Sequence, residues 1–180
     1  GVITGVITAR TLGPRDRGLF QLLTLLPVTL SNFAKLGIPQ ANVYFMRRRG
    51  AAPSDIASNS LWYALGLGGV LALVCYAGRH WLLANVLKQA PESVLPPVLA
   101  LIPFVLLQAF LLGLLQAEER FAEYSFQQVA PTVLGLVGMS VALLWLKAGL
   151  IGAVLTQTGV VAIVTVWLAF RVHRRAPLRF

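Results

Sequence analysis

The sequence predicts an all-α integral membrane protein. Hydrophobic residues make up 57% of the chain and charged residues only 12%, about half the charged share of a soluble domain. The mean hydropathy is +0.76. The net charge is +9, but the basic residues cluster between apolar runs, at Arg47–Arg49 and at Arg171, Arg174 and Arg175. Such clusters are typical of loops beside anionic headgroups rather than of a nucleic-acid-binding face.

The first apolar stretch, residues 1–10, is too short to cross a bilayer, since a spanning helix needs about 20 residues. It has neither an initiator Met nor a basic segment before it, so we interpret it as the end of a helix that begins outside this sequence. Gly13 and Pro14 then predict a turn. The spans that follow are predicted over residues 19–46, 60–78, 94–116, 130–146 and 150–170.

The span over residues 19–46 carries most of its polar side chains on one side. At about 100° per residue, six of them fall within an arc of roughly 100°. We call them the polar stripe: Gln21, Thr24, Ser31, Asn32, Lys35 and Asn42. Because unpaired polar groups are costly in lipid, the stripe predicts a wet or polar surface. Pro27 and Pro39 are expected to bend the helix and shift the phase of the stripe.

Lys35 lies near the middle of this span, where a charge is most costly, and it is therefore a candidate functional residue. A structural role, in which the side chain snorkels or pairs with a neighbouring helix, is the alternative. Arg10 is either an interfacial anchor or a second cation of the site.

Small residues, prolines and a short connection in the later spans predict how these helices pack. Small residues at Ala64, Gly68 and Ala72 recur every fourth position and predict a close helix–helix contact. Three prolines in the first half of residues 94–116 predict a kink or a late start of that helix. Only residues 147–149 separate the last two spans, which predicts an antiparallel hairpin.

The basic clusters predict the orientation. Four spans separate Arg47–Arg49 from Arg171–Arg175, so both lie on one side, which the positive-inside rule makes cytoplasmic. By this count the cytoplasmic side holds eight basic residues and the opposite side six.

The residues that carry enzyme chemistry do not form a recognisable pattern. The single cysteine, Cys75, excludes an intrachain disulfide and is best explained by packing. His80 and His173 have no further ligands at metal-binding spacing, and no phosphate-binding loop is present. Glu118, Glu119 and Glu123 are better explained as a solvated helix face than as a cation site. We therefore expect neither an enzyme nor a cofactor or metal.

Three stretches resemble the polysaccharide-biosynthesis flippases, the Wzx-like O-antigen and repeat-unit transporters of the multidrug/oligosaccharidyl-lipid/polysaccharide exporter superfamily. They are ARTLGPRDRGLFQLLTLLP (residues 9–27), LGIPQANVYFMRRRG (residues 36–50) and LLGLLQAEERFAEYSFQQVAPTVL (residues 111–134). Arg10 and Gln40 fall at motif positions of the resemblance, whereas Lys35 does not. The resemblance covers essentially the whole chain.

The resemblance implies a transporter of twelve or more helices in two six-helix lobes, of which this chain is the N-terminal lobe with its first helix truncated. The implied activity is the flipping of undecaprenyl-pyrophosphate-linked oligosaccharide across the cytoplasmic (inner) membrane, for polysaccharide, O-antigen or lipopolysaccharide biosynthesis in the cell envelope. The implied partners are this lipid-linked oligosaccharide, membrane lipids, the C-terminal lobe and a polysaccharide polymerase, but no nucleic acid. The substrate-binding candidates are Arg10, Gln21, Ser31, Asn32, Lys35 and Asn42; Lys35 and Arg10 would meet the pyrophosphate, and the amides the sugar hydroxyls.

Two alternatives stay open at this point. One is a drug or cation antiporter of the same superfamily, although no span carries the acidic residue that such antiporters often need. The other is a non-transporting scaffold of a polysaccharide assembly system.

Overall fold

The structure is a computed structural model that describes residues 2–49, 53–88, 90–145 and 148–175; the side chains of residues 2–12, 47, 49, 53 and 175 are not described. Over these residues the chain is helical and has no strand. The helices in chain order are α1 (Val2–Ala34), α2 (Ile38–Arg49), α3 (Pro53–Ala77), α4 (Arg79–Asn85), α5 (Leu95–Ala117), α6 (Phe121–Ser140) and α7 (Gly149–Arg175). A 3₁₀ turn over Glu92–Val94 precedes α5, and a π-helical turn over Val141–Trp145 extends α6.

The fold is that of an all-α membrane protein, as predicted. Four helical segments of the described chain are long and apolar enough to cross a membrane: Ser54–Ala77, Glu92–Ala117, Phe121–Trp145 and Gly149–Arg174. A fifth span results if the bent pair Gly13–Ala34 and Ile38–Met46 crosses as one unit. Each of these segments overlaps one predicted span and begins earlier in the chain than that span.

The main difference concerns the stretch predicted as one helix over residues 19–46. It is divided into α1 and α2, whose axes meet at an angle of 48°. At its other end, α1 continues back through Pro14 to Val2, with a kink at Gly13, whose backbone angles are φ 74° and ψ 169°. The predicted turn at Gly13 and Pro14 is therefore a kink within α1.

Helix α5 forms the centre of the bundle. It packs against α1, α2, α3 and α7, and it contributes more residues to the main hydrophobic core than any other helix. Its sequence explains this position, because a helix that is apolar on every side can be buried on every side. Ile102, Leu106 and Phe110 are fully buried along it. Pro96 and Pro97 fall at the start of α5, where missing N–H groups cost nothing.

Helix α3 makes the closest contact with α5, at the small residues that the sequence indicated. Ala64 is fully buried and Gly68 is buried beside it. A methyl group on Gly68 would lie 2.7 Å from the Cα atom of Pro103, so only glycine permits this approach of the two backbones. One turn earlier, the rings of Tyr63 and Phe110 meet edge to face, with centroids 5.8 Å apart.

Helices α6 and α7 pack against each other as the predicted hairpin, and both also contact α1. The link between them includes residues 146 and 147, which lie outside the described residues. Helix α4, which follows α3, is short and has no buried residue. Trp81 is 65% exposed there, in keeping with a segment that lies along the membrane surface.

Candidate functional site

The candidate site is centred on the break between α1 and α2. Lys35, Leu36 and Gly37 separate the two helices, and both Leu36 (φ 43°) and Gly37 (φ 76°) have left-handed backbone angles. Pro39 follows at the second position of α2, where its ring would clash with the Lys35 carbonyl if the helix were continuous. Instead, that carbonyl accepts a hydrogen bond from the Ile38 N–H at 2.8 Å. The sequence therefore stops one helix and starts the next within three residues.

Lys35 and Asn32 form a polar pair at this break. The Lys35 ammonium donates a hydrogen bond to Asn32 Oδ1 at 2.9 Å, and Asn32 is exposed. The spacing of three residues places both side chains on the same side of α1. Among the described residues, no carboxylate lies within ion-pair distance of Lys35. Within the described part of the chain, the ammonium group therefore has an amide oxygen rather than a carboxylate as its partner.

The pair lies at the end of what we call the open face of α1, which no described residue covers. This face consists of Gln21, Leu22, Leu25, Val28, Thr29, Asn32 and Phe33. It is mixed in character: Phe33 is 76% exposed, and Leu36, beyond the end of the helix, is 77% exposed. Gln21 is exposed on it as well.

Two residues of the polar stripe make helix–helix contacts instead. The Ser31 side chain is fully buried, and its hydroxyl donates to the Ile102 carbonyl of α5 over 3.4 Å. Asn42 Nδ2 donates to Ser60 Oγ of α3 at 3.0 Å. The polar stripe is therefore divided. Successive residues of a helix are 100° apart, so Ser31 faces the core while Asn32 faces away from it. The 48° bend between α1 and α2 turns Asn42 toward α3.

The remaining stripe residue and Arg10 add no contact to the pair. The Thr24 hydroxyl lies 3.0 Å from both the Phe20 and Gln21 carbonyls of its own helix, a local hydrogen bond common for threonine in helices. Arg10 belongs to the helical backbone of α1, but its side chain lies outside the described residues.

A second polar position lies on the other side of the break. Gln40 lines a cavity of about 220 Å³ together with Pro39, Val43 and Gln116. Both glutamines are exposed. Gln116 was not among the candidates from the sequence. A polar residue at the end of α5, the most apolar helix, is the sequence feature that indicates Gln116 as a candidate.

The charged residues of the described chain are concentrated at the two ends of the bundle. At the end predicted to be cytoplasmic, Arg48, Arg171 and Arg174 each lie over an aromatic ring, at 4.5 to 5.9 Å from the ring centroid. At the opposite end, Arg79 lies over Tyr76 and pairs with Glu92 at 3.0 Å. Such aromatic and basic side chains are typical of membrane interfaces.

The predicted acidic cluster is not arranged for a cation. Glu123 pairs with Arg120 at 2.9 Å, and Glu118 lies 4.0 Å from the same guanidinium group. Within the described ranges, no group of three or more His, Cys, Asp or Glu side chains is placed to hold a metal ion.

Comparisons with known proteins identify the family. Searches among curated proteins and among solved structures gave no match. A family model described as "Polysaccharide biosynthesis protein" matches residues 1–177, which is nearly the whole chain. Together with the membrane-spanning helices, this match shows that the chain belongs to the polysaccharide biosynthesis protein family.

Proposed function

We propose that this protein moves an oligosaccharide linked to undecaprenyl pyrophosphate across the cytoplasmic membrane, as a flippase for polysaccharide or O-antigen biosynthesis rather than as an enzyme. Membership of the polysaccharide biosynthesis family and the membrane-spanning helices support a membrane component of that process. The observation that carries the finer proposal is the Lys35–Asn32 pair on the open side of a bent span.

The chemistry of the substrate matches this pair. A pyrophosphate needs a cation along its path through the low-dielectric part of the membrane, and a lysine ammonium supplies a compact one. Sugar hydroxyls both donate and accept hydrogen bonds, as do the side chains of Asn32 and Gln21. A cationic substrate would be repelled by Lys35, which favours the flippase over a drug or cation antiporter.

The break itself fits transport by alternating access. In membrane transporters, substrates are often held where a spanning helix is interrupted, because non-helical backbone at that depth is tolerated beside a cavity. We propose that α1 and α2 line such a cavity in a two-lobed transporter, with a C-terminal lobe facing the open face of α1. Ser31 and Asn42 then stabilise this wall rather than contact the substrate.

The test is a translocation assay with full-length protein in liposomes. A lipid-linked oligosaccharide is placed in one leaflet, and its appearance in the other is followed with an impermeant glycosidase. We expect Lys35→Met to lower the translocation rate at least about tenfold, which corresponds to a rise of about 1.4 kcal/mol in the activation free energy. We expect Lys35→Arg to keep most of the wild-type rate. Lys88→Met, which removes an exposed lysine beyond α4, is the matched control.

Translocation by Lys35→Met at the wild-type rate would contradict the proposed role of Lys35. Export of a cationic dye in place of the oligosaccharide would instead support the antiporter. If neither probe moves although the protein is folded, the scaffold role is favoured.

A further inference from the structure

A second cavity lies between α6 and α7, away from the break. Its volume is about 260 Å³, and its lining includes Glu123, Phe126, Gln127, Trp167 and Arg171. The helical spacing explains the grouping, since residues three and four apart in each helix share a face. Ligand pockets for drug-sized molecules measure about 300 to 1,000 Å³, so this one suits a smaller ligand, of the size of a single ring.

Gln127 is the unusual residue of this cavity. Its side chain is only 1% exposed, and neither its amide nitrogen nor its amide oxygen has a hydrogen-bond partner among the described residues. A buried amide without partners is unfavourable, and an apolar residue of similar shape would be better there. The next residue, Gln128, is exposed and donates to the Tyr124 hydroxyl at 3.1 Å, so the helix does not lack polar partners in general.

The unpaired amide restricts the chemistry of the ligand. Gln127 offers two donor hydrogens and an acceptor oxygen, so a satisfying ligand must both accept and donate. A phosphate accepts and an ammonium donates, but a hydroxyl does both. The amide therefore favours a hydroxylated ligand.

The rest of the lining fits a sugar ring. The rings of Phe126 and Trp167 lie 5.6 Å apart and offer an apolar wall on which the C–H face of a pyranose can pack. The guanidinium group of Arg171 lies over Trp167, and Glu123 lies 4.0 Å from Arg171. Charges of both signs at the mouth suit neutral hydroxyls, which can bond to either, better than a ligand with one net charge.

We propose that this α6–α7 cavity binds one sugar ring of a glycan on the cytoplasmic side of the membrane. The inference deepens the proposed function and depends on it for the source of the glycan. It names a second contact site for the substrate, at the end of the bundle where the loaded lipid carrier would approach. The Gln127 amide is closed to solvent in this structure; on binding it turns into the cavity and supplies the central hydrogen bonds, and Trp167 supplies the stacking surface.

The test is direct binding of simple pyranosides to full-length protein in detergent. Methyl glycosides of hexoses and of N-acetylhexosamines are added, and saturation-transfer NMR reports which ring protons contact the protein. We expect transfer with at least one pyranoside and a loss of at least tenfold in affinity in Gln127→Leu. Gln128→Leu is the matched control, at which affinity is expected to be unchanged. The melting temperature of Gln127→Leu is expected to equal or exceed that of the wild type, because the substitution removes an unpaired buried amide.

Two results would overturn the inference. One is equal affinity in wild type and Gln127→Leu, or no transfer with any pyranoside, which would leave the cavity filled by water only. The other is binding of myo-inositol as tightly as of the pyranosides, which would assign the cavity to a lipid headgroup. The translocation assay is an independent test. Sugar binding without translocation would reject the flippase and retain the sugar site. Translocation without sugar binding would retain the flippase and reject the sugar site.

Discussion

At the scale of single residues, the account depends on where each polar side chain of one helix ends up. Asn32 lies on the open face of α1, and Lys35, just beyond the end of that helix, pairs with it. Ser31 and Asn42 cross into contacts with α5 and α3. The same polar stripe therefore serves two purposes, one toward neighbouring helices and one toward the uncovered side. Hydrogen bonds between helices in membranes contribute about 0.6 kcal/mol on average, so the contacts to α5 and α3 are modest individually.

The Asn42–Ser60 contact gives a prediction at this scale. We expect a double-mutant cycle of Asn42→Ala and Ser60→Ala to give a coupling energy of about 0.5 to 1 kcal/mol, because their hydrogen bond joins α2 to α3. The measurement is the unfolding free energy of the purified protein in detergent. The translocation rate of folded Asn42→Ala is expected to remain near that of the wild type. A loss of rate as large as that of Lys35→Met would indicate that Asn42 contacts the substrate.

The sequence predicts part of this arrangement and not the rest. The spacing of Asn32 and Lys35 fixes their common side of a helix, whatever surrounds it. The burial of Ser31 depends on which helix lies against α1, and no local pattern contains that information. The sequence does not indicate Gln127, because the charged and polar residues from Glu118 to Gln128 predict a solvated segment, whereas its burial depends on the helices that pack against α6.

At the scale of elements, the break between α1 and α2 is the decisive feature. Pro39 predicts a bend, but the hydropathy pattern of residues 19–46 predicts a single helix. Hydrophobic periodicity does not reveal a break of three residues when apolar residues continue on both sides of it. The small-residue pattern of α3 was a stronger signal, since the close approach at Gly68 requires a missing side chain.

Gly37 provides the prediction at this scale. Its φ of 76° favours glycine, and a methyl group there would meet no atom within 4 Å, so only backbone strain is introduced by alanine. We expect Gly37→Ala to lower the unfolding free energy by about 1 kcal/mol and to slow translocation by altering the bend. Gly18→Ala is the matched control, since Gly18 also has open space around it but ordinary helical angles.

In the Gly18→Ala control, the unfolding free energy is expected to stay the same or to rise slightly, because alanine is the better helix former. Equal effects of the two substitutions on the melting temperature would show that the left-handed conformation at residue 37 is not important for the fold.

At the scale of the whole molecule, α5 holds the other spans in place, and the polar surface lies at the periphery of what it organises. The main core surrounds α5, whereas the open face of α1 is left without a described neighbour. The sequence predicts the class of fold from hydropathy alone. It does not predict that α5 is central, because the strong apolar character that buries it would equally suit a helix exposed to lipid.

The central claim is that the polar side of the bent span faces water, and site-directed cysteine labelling of full-length protein in cells tests it most directly. In a Cys75→Ala background, single cysteines are treated with a membrane-impermeant thiol reagent. We expect labelling at residues 21, 32 and 35. Silence is expected at residues 23 and 31, which are buried. Silence at residues 32 and 35, or labelling at residue 31 as strong as at residue 32, would contradict the account.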